Sequence, residues 1–255
     1  MKHAWGVWAV YPARKGIGMI KDKSYTIAEI KKLTPSVTSF LFKADDGTSI
    51  DFTPGMFAML KHVDSTTGEA IARAFSIANE PPSDHLEFVI SLIHGRFTSK
   101  LDNAKIGDKY LVSAPYGQFR FDISSSKKFL FLAGGTGIAP FMSMLRYAKQ
   151  LNSDMNSVML YSTKYASEQI YKDQLNEYAK DSSFRLVTTV TRPQDADGWT
   201  GETGHVTADM IKKEVPDFID RVSYICGPPA FVKACRDALI SMGVNPDNVK
   251  AEMWG

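Results

Sequence analysis

A glycine-rich segment directly follows an apolar run and precedes a helical pattern. It reads Gly134-Gly135-Thr136-Gly137, and the run before it, Phe-Leu-Phe-Leu-Ala at 129–133, is typical of a strand buried on both faces. Glycines at such a turn let backbone N–H groups approach a pyrophosphate, and the helix dipole favours its charge. The match to G-x-G-x-x-G is incomplete, because Pro140 replaces the third glycine. We predict a dinucleotide site at Gly135, Thr136 and Gly137; the alternative is a purely structural turn.

Polar residues follow the next two predicted strands. Ser162, Thr163 and Lys164 occupy the region, about 20 residues beyond the glycines, where an acidic residue for a ribose 2′-hydroxyl is expected. Hydroxyls beside a cation suit a 2′-phosphate better, and Arg192 after the following strand can add a second cation. This pattern favours NADPH over NADH. The alternative is that Lys164 and Arg192 are solvated surface charges.

Three further groups of residues lie at predicted strand ends. They are Arg73-Ala74-Phe75-Ser76, then Gly95 with Thr98 and Ser99, and finally Cys226-Gly227-Pro228. An Arg beside a Ser can hold a phosphate while the hydroxyl addresses a nearby ring, and the second group can form a phosphate nest. Gly227 permits close approach of a ligand, whereas Cys226 is either part of that site or a small core residue. The alternative to a phosphate-binding role for Arg73 is that it is an ordinary surface arginine at the rim of a barrel.

The periodicity of the chain changes near residue 127. Residues 21–123 contain six short segments rich in β-branched and aromatic residues, separated by turn residues such as Tyr116-Gly117, which indicates a six-stranded antiparallel barrel. Residues 127–255 alternate strand and helix patterns, which indicates an α/β domain with a parallel sheet. In this second part we predict, among other elements, a helix over residues 167–179 and a loop at 198–205. Residues 1–20 are aromatic in patches but poorly flanked for a signal peptide, so we interpret them as an N-terminal extension.

Composition excludes several classes of protein. The 255 residues are 44% apolar and 23% charged with a net charge of +2, as in a globular protein, and nothing favours nucleic acid as a partner. The sequence contains no run of about 18 apolar residues, so we predict no transmembrane segment. The two cysteines are too few for a disulfide framework or an iron–sulfur cluster, and no histidines lie at metal-ligand spacing, so we predict no metal site. Low cysteine use favours a reducing, cytoplasmic location.

In this order, and together with the terminal Glu252-Met253-Trp254-Gly255, these motifs resemble the ferredoxin–NADP reductase family over about residues 21–255. The resemblance implies an N-terminal FAD-binding barrel and a C-terminal NAD(P)-binding domain. It also implies an enzyme, a flavin-dependent reductase, that takes a hydride from NAD(P)H to FAD. Electrons would then pass to a separate acceptor, a small redox protein such as ferredoxin or flavodoxin.

The resemblance also implies roles for individual residues. Arg73 would bind the flavin phosphate, with Ala74 beside it, and Phe75 would lie along the isoalloxazine. Gly95, Thr98 and Ser99 would cradle the FAD pyrophosphate, and Gly135, Thr136 and Gly137 that of NAD(P)H. Gly227 and Pro228 would line the nicotinamide site. The implied catalytic residues are Ser76 near flavin N5, Cys226 beside the nicotinamide, Glu252 near the reacting centre and Trp254 over the flavin ring.

Two departures from the family pattern qualify the resemblance. Phe75 stands where many relatives have Tyr, and Met56 stands where relatives often have Gln after Pro-Gly. Many relatives also have an attached iron–sulfur domain, for which residues 1–255 contain neither the length nor the cysteines. Two alternative functions stay open. One is an electron-transfer subunit or reductase component of a larger complex or oxygenase, and the other is a non-catalytic nucleotide-binding module.

Overall fold

The computed structural model describes residues 18–64, 67–93, 95–194 and 198–254. Most of the N-terminal extension expected at 1–20 lies outside these residues, as does Gly255. The described chain forms two six-stranded sheets, the first antiparallel and the second parallel. This agrees with the fold class that the change in periodicity predicts.

The first sheet is built from strands between residues 20 and 116. They are β1 (Ile20–Lys32), β2 (Val37–Ala44), β3 (Phe57–Val63), β4 (Ala70–Ser76), β5 (His85–Ser91) and β6 (Lys109–Tyr116), and a short helix α1 (Thr98–Asp102) precedes β6. The spatial order is β4-β3-β6-β1-β2-β5. An isolated bridge between Ile77 and Phe88 brings the end of β4 to β5, so the two outer strands meet and the sheet curls into a half-barrel.

Aromatic side chains fill the inside of the half-barrel. Phe42 lies against Phe88 and Tyr110, with ring centroids 5.7 and 5.5 Å apart, and Phe97 lies 6.3 Å from Tyr110. Three of these residues lie on β2, β5 and β6, whereas Phe97 directly precedes α1, and all four are buried. Alternation of such residues with polar ones gives each strand one buried face, which fixes its register.

The second sheet carries helices. Its strands are β7 (Lys128–Gly134), β8 (Asn156–Thr163), β9 (Phe184–Val190), β10 (Glu202–Thr203), β11 (Val222–Gly227) and β12 (Val249–Met253), and the helices are α2 (Ala139–Gln150), α3 (Lys172–Tyr178), α4 (Ala208–Glu214) and α5 (Pro229–Ser241). The order is β10-β9-β8-β7-β11-β12. The chain therefore runs outward from β7 to β10 and then crosses to the other side of β7. Ligands of such sheets bind in the crevice where the order reverses, here between the carboxyl ends of β7 and β11.

Aromatic packing joins the two sheets. Phe121, which follows β6, lies 5.0 Å from Phe129 on β7 and 5.6 Å from Tyr224 on β11, and Phe119 lies 5.5 Å from Tyr224. Aromatic residues on both sides of the domain boundary that we predict between residues 123 and 127 therefore belong to one common core. The boundary itself stays a prediction.

Two details differ from the sequence-based expectations. The helix expected over residues 167–179 is divided into a 3₁₀ turn at Ala166–Glu168 and helix α3, with Tyr171 in a left-handed conformation (φ 56°) between them. The segment 198–205, expected as a loop, contains the two-residue strand β10, which is too short to show a periodic pattern. Within the residues described, no helix is long and apolar enough to cross a membrane.

Candidate functional site

Ser76 and Glu252 meet at the junction of the two sheets. Ser76 ends β4, Glu252 lies on β12, and the Ser76 hydroxyl donates a hydrogen bond of 3.5 Å to Glu252 Oε2. Both residues are half-buried. In the β11–β12 ladder, Glu252 is the register partner of Cys226. Three of the four residues to which the resemblance assigns catalysis therefore lie together, although 176 positions separate the first from the last.

Burial changes the acid–base properties of this group. Loss of solvent around Glu252 raises the pKa of its carboxyl to about 7, against the opposing effect of the Ser76 hydrogen bond. Burial also raises the pKa of the Cys226 thiol well above its usual range, and the nearby Glu252 charge adds to this. Near neutral pH, Glu252 can consequently release or take up a proton, whereas Cys226 stays a neutral thiol.

Trp254 lies two residues beyond Glu252, directly after the end of β12. Its backbone N–H donates a hydrogen bond of 3.3 Å to the Gly227 carbonyl, so the main chain is held beside the end of β11. The indole is 38% exposed and is one of the large apolar side chains that face solvent. This exposure leaves it available to a ring bound nearby, and its predicted position over a flavin stays a prediction.

A further glycine completes the surroundings of Glu252. Gly117, just after β6, has a φ of +107°, and a Cβ placed there would lie 3.0 Å from the Phe57 ring and 3.8 Å from Glu252 Oε1. From the sequence, Gly117 predicted only a turn. The available signal was its position after an aromatic residue at a strand end, which does not distinguish a turn from the wall of a site.

The glycine loop combines two different roles. Gly134 ends β7, residues 135–138 form a 3₁₀ turn, and α2 follows with Pro140 in its first turn. Gly135 has a φ of +54°, and a Cβ there would meet nothing within 4 Å. Its bare backbone therefore faces open space beside the start of a 12-residue helix. Open space beside a glycine backbone at a helix start fits a bound pyrophosphate.

Gly137 instead permits close packing. A Cβ at this position would lie 2.3 Å from the Cys226 carbonyl oxygen and 2.8 Å from the Gly227 Cα. Gly227 is also confined, though less tightly, because its Cβ would lie 3.1 Å from the Gly134 Cα. The loops after β7 and β11 thus approach each other backbone to backbone at the point where the strand order reverses. Pro228 follows as a half-buried residue at the start of α5.

The residues expected to bind a 2′-phosphate lie at neighbouring strand ends. Ser162 and Thr163 end β8 and are buried, and the Thr163 hydroxyl donates to the Tyr165 carbonyl at 3.0 Å. Lys164 and Arg192 are both exposed, and the Arg192 N–H donates to the Lys164 carbonyl at 2.8 Å. This backbone hydrogen bond brings the two exposed residues side by side in the chain, whereas the Thr163 hydroxyl is already bonded within the protein.

The predicted FAD residues lie on β4, at Gly95 just before α1, and at Thr98 and Ser99 in the first turn of α1. Arg73 and Ala74 are exposed, and no carboxylate of the described chain forms an ion pair with Arg73. Phe75 is half-buried, with its ring 5.7 Å from that of Phe97. Because Phe97 lies inside the loop of Gly95, Thr98 and Ser99, this contact places that loop beside β4. The Gly95 N–H donates to Thr98 Oγ1 at 3.0 Å, and the Ser99 N–H donates to the Gly95 carbonyl at 2.9 Å. The Arg73 guanidinium itself donates only to the Ala72 carbonyl, at 2.9 Å, among the described residues. A guanidinium without a carboxylate partner, beside a polar loop, fits a diphosphate.

Comparison with known families agrees with this division. The model of the oxidoreductase FAD-binding domain matches residues 24–121, and that of the oxidoreductase NAD-binding domain matches residues 131–237. Together they cover about four-fifths of the chain. FAD and a nicotinamide nucleotide are therefore the cofactors that the two units are built to bind.

Individual proteins are similar over nearly the whole chain. The 2-halobenzoate 1,2-dioxygenase electron transfer component of Burkholderia cepacia is 33% identical over 89% of this chain and 66% of its own length. The glycine betaine monooxygenase reductase subunit of Chromohalobacter salexigens is 29% identical over 87% of this chain and 61% of its own length. The chain thus spans somewhat less than two thirds of these relatives.

Solved structures share the fold. The flavohem-like FAD/NAD-binding domain of nitric oxide dioxygenase from Vibrio cholerae has a TM-score of 0.83 at 18% identity, covering 92% of this chain and 100% of that one. The ferredoxin NADP+ reductase of Neisseria gonorrhoeae, solved with FAD and NADP, has a TM-score of 0.77 at 24% identity, covering 90% and 97%. The two matched domains, the shared fold and the ordered motifs show that this chain belongs to the ferredoxin–NADP reductase-like family.

Proposed function

We propose that this protein is a reductase that oxidises NAD(P)H through FAD and passes the electrons to a separate acceptor. The observation that supports this most directly is the contact between Ser76, at the end of β4 in the FAD-binding unit, and Glu252, on the edge strand β12 of the nicotinamide-binding unit. A group that handles protons lies where the two cofactors of such an enzyme must meet. A module that only binds nucleotides has no need of it.

Each binding residue has a distinct task in this proposal. Arg73 holds a flavin phosphate, with the loop of Gly95, Thr98 and Ser99 around the pyrophosphate. On the other unit, Gly135 offers its bare backbone to the second pyrophosphate. The bound cofactors supply the hydride and electron chemistry, while the protein supplies orientation and electrostatics.

The residues at the junction hold a proton and shape the site. Glu252, with a pKa of about 7, holds or releases a proton at its carboxyl group. The Ser76 hydroxyl, which donates to Glu252 Oε2, connects this carboxyl to the FAD-binding unit. Cys226, fully buried and neutral, gives the nicotinamide side a small, uncharged wall. Trp254 covers a flavin face and must move aside when the nicotinamide enters.

For the acceptor, we propose a small redox protein such as a ferredoxin or flavodoxin, or an oxygenase that this chain serves as reductase component. The relatives named as an oxygenase electron transfer component and a monooxygenase reductase subunit support the second form. Because the chain spans less than two thirds of these proteins, the acceptor is part of the proposal. The cytoplasmic location also stays a prediction.

For the coenzyme, we propose a preference for NADPH. Lys164 and Arg192 are exposed neighbours at adjacent strand ends, where two cations can share one phosphate. Changing both to Ala should narrow the ratio of kcat/KM between NADPH and NADH. Arg236→Ala, which removes an exposed cation from α5, is the matched control. A clear preference of the parent protein for NADH would contradict the proposal.

The decisive test of the whole proposal is spectroscopic. The purified protein, supplied with FAD, should show the absorbance of a bound flavin and lose it when NADPH or NADH is added without oxygen. Reoxidation by ferredoxin, flavodoxin, free flavin and ferricyanide then distinguishes protein acceptors from small molecules. A flavin that binds but is not reduced by either nucleotide would favour a non-catalytic module.

A further inference from the structure

Helix α2 contacts the FAD-binding unit just beyond the end of β4, the strand that contains Arg73 and Ser76. The Ser143 hydroxyl donates to the Asn79 carbonyl at 2.6 Å, and Arg146 Nη1 donates to the Ala78 carbonyl at 2.9 Å. The two carbonyls lie two and three residues after Ser76. The same helix begins immediately after the glycine loop. One rigid element therefore connects the nicotinamide-binding loop to the end of β4.

A buried ion pair strengthens this connection. Arg146 Nη1 lies 2.5 Å from Glu87 Oε2 on β5, and both side chains are only 15% exposed. Ser39 and Tyr171 donate to Glu87 Oε1 at 2.8 and 2.6 Å, and Arg146 Nη2 donates to Gln174 Oε1 at 2.8 Å. We call these five residues the Arg146 cluster. Burial alone would raise the pKa of Glu87, but the charge of Arg146 and these hydrogen bonds lower it, so the carboxylate is ionised.

Tyr171 shows that the cluster imposes its geometry on the chain. Its φ of 56° is uncommon for a bulky side chain. In this conformation the hydroxyl reaches Glu87 across the junction, and the ring lies 5.0 Å from the Arg146 guanidinium. The contacts of the cluster compensate for the unfavourable backbone conformation. They also tie the start of α3 to the FAD-binding unit.

We propose that Arg146 and Glu87 are positioning residues, which set the nicotinamide-binding loop at a fixed distance from Ser76. This rests on the proposed function. A guanidinium bonded to both a carboxylate and a carbonyl has one geometry, so it adds a directional constraint to the aromatic packing between the two units. Transfer between two bound cofactors needs that precision, because a misplacement of about 1 Å can slow a reaction about 100-fold.

The test separates placement from binding. Arg146→Met and the milder Glu87→Gln are compared with the parent in anaerobic stopped-flow reduction of the bound flavin by NAD(P)H. We expect unchanged FAD content and a nucleotide Kd within about twofold, since the cluster contacts neither binding loop. The saturating rate of flavin reduction should fall about tenfold or more in Arg146→Met. A parent flavin that NAD(P)H does not reduce would overturn the proposed function instead.

A second readout measures placement without catalysis. Spin labels at Lys43→Cys on β2 and Arg236→Cys on α5, both exposed positions, report the distance between the units by pulsed electron paramagnetic resonance. Native Cys226 and Cys235 are buried. The distance distribution should widen or shift in Arg146→Met.

The matched control removes a buried arginine that lies within one unit. Arg221 is 7% exposed, pairs with Asp217 at 2.8 Å and donates to the Phe129 carbonyl at 3.1 Å. Arg221→Met should leave both the saturating rate and the distance distribution as in the parent, even if it lowers Tm. Equal rates in Arg146→Met and the parent would overturn the proposal. So would a slower rate with an unchanged distance distribution.

Discussion

Gly137→Ala is the substitution whose effect the structure defines most closely. The added methyl would lie 2.3 Å from the Cys226 carbonyl oxygen and 2.6 Å from its carbonyl carbon. Ordinary contacts are ~3.5 Å, so the glycine loop or the end of β11 must move by about 1 Å. Overpacking of this kind costs about 1–3 kcal/mol, and backbone on both sides leaves no flexible side chain to yield. For a chain of this length, Tm should fall by on the order of 5 °C.

Gly135→Ala is the control within the same loop. Its methyl would enter open space, so the cost is limited to the left-handed backbone, about 1 kcal/mol. Thermal unfolding followed by circular dichroism should show the larger loss for Gly137→Ala. Titration with NADP+ or NAD+ should show the larger loss of affinity for Gly135→Ala, whose methyl faces the predicted pyrophosphate. An unchanged Tm for Gly137→Ala would refute the close approach of the two loops.

Three further results are expected. Arg73→Ala should weaken FAD binding, measured by flavin fluorescence, because a charge-assisted contact contributes ~1.5–3 kcal/mol; normal FAD affinity would remove the assignment. Trp254→Ala should bind NAD(P)+ roughly tenfold more tightly in an absorbance titration, since an aromatic ring no longer competes for the flavin face; an unchanged affinity and flavin spectrum would exclude stacking. Glu252 has a pKa of about 7 in the folded protein, above its ordinary 4.5, so its favourable contribution is complete below pH 4.5 and is lost as pH rises through 7. The FAD-free parent should therefore lose on the order of 2 kcal/mol of unfolding free energy across this range relative to Glu252→Gln, and parallel pH profiles in urea unfolding would contradict the burial of the carboxyl.

The sequence predicts a strand or helix correctly where a single local hydrophobic pattern determines it. The apolar run before Gly134 is typical of a strand buried on both faces, and β7 is an inner strand of its sheet. The helix predicted over residues 167–179 is wrong in its first part, where Tyr171 interrupts it. The Tyr171 hydroxyl donates to Glu87, a residue 84 positions away on the other sheet. Local propensity contains no information about such a partner.

The candidate site shows the same limit. Ser76 and Glu252 were associated only through resemblance to a family, since nothing in either segment indicates that they meet. Similarly, Gly135 and Gly137 are indistinguishable by type, yet one faces open space and the other faces the Cys226 carbonyl. Arg146 and Glu87 are common residues without a motif, so their pairing becomes visible only in three dimensions.

The burial of Cys226 bears on chemical durability. A reduced flavin that meets oxygen releases hydrogen peroxide, which attacks cysteine through the thiolate and not the thiol. Cys226 is fully buried, and its pKa lies well above the usual range, so almost no thiolate exists at neutral pH. In the proposed function, the Cys226 sulfur would therefore lie beside the reacting centre through many turnovers without oxidation to sulfenic or sulfinic acid. The burial that keeps this thiol neutral would then also protect it from the hydrogen peroxide that the flavin produces.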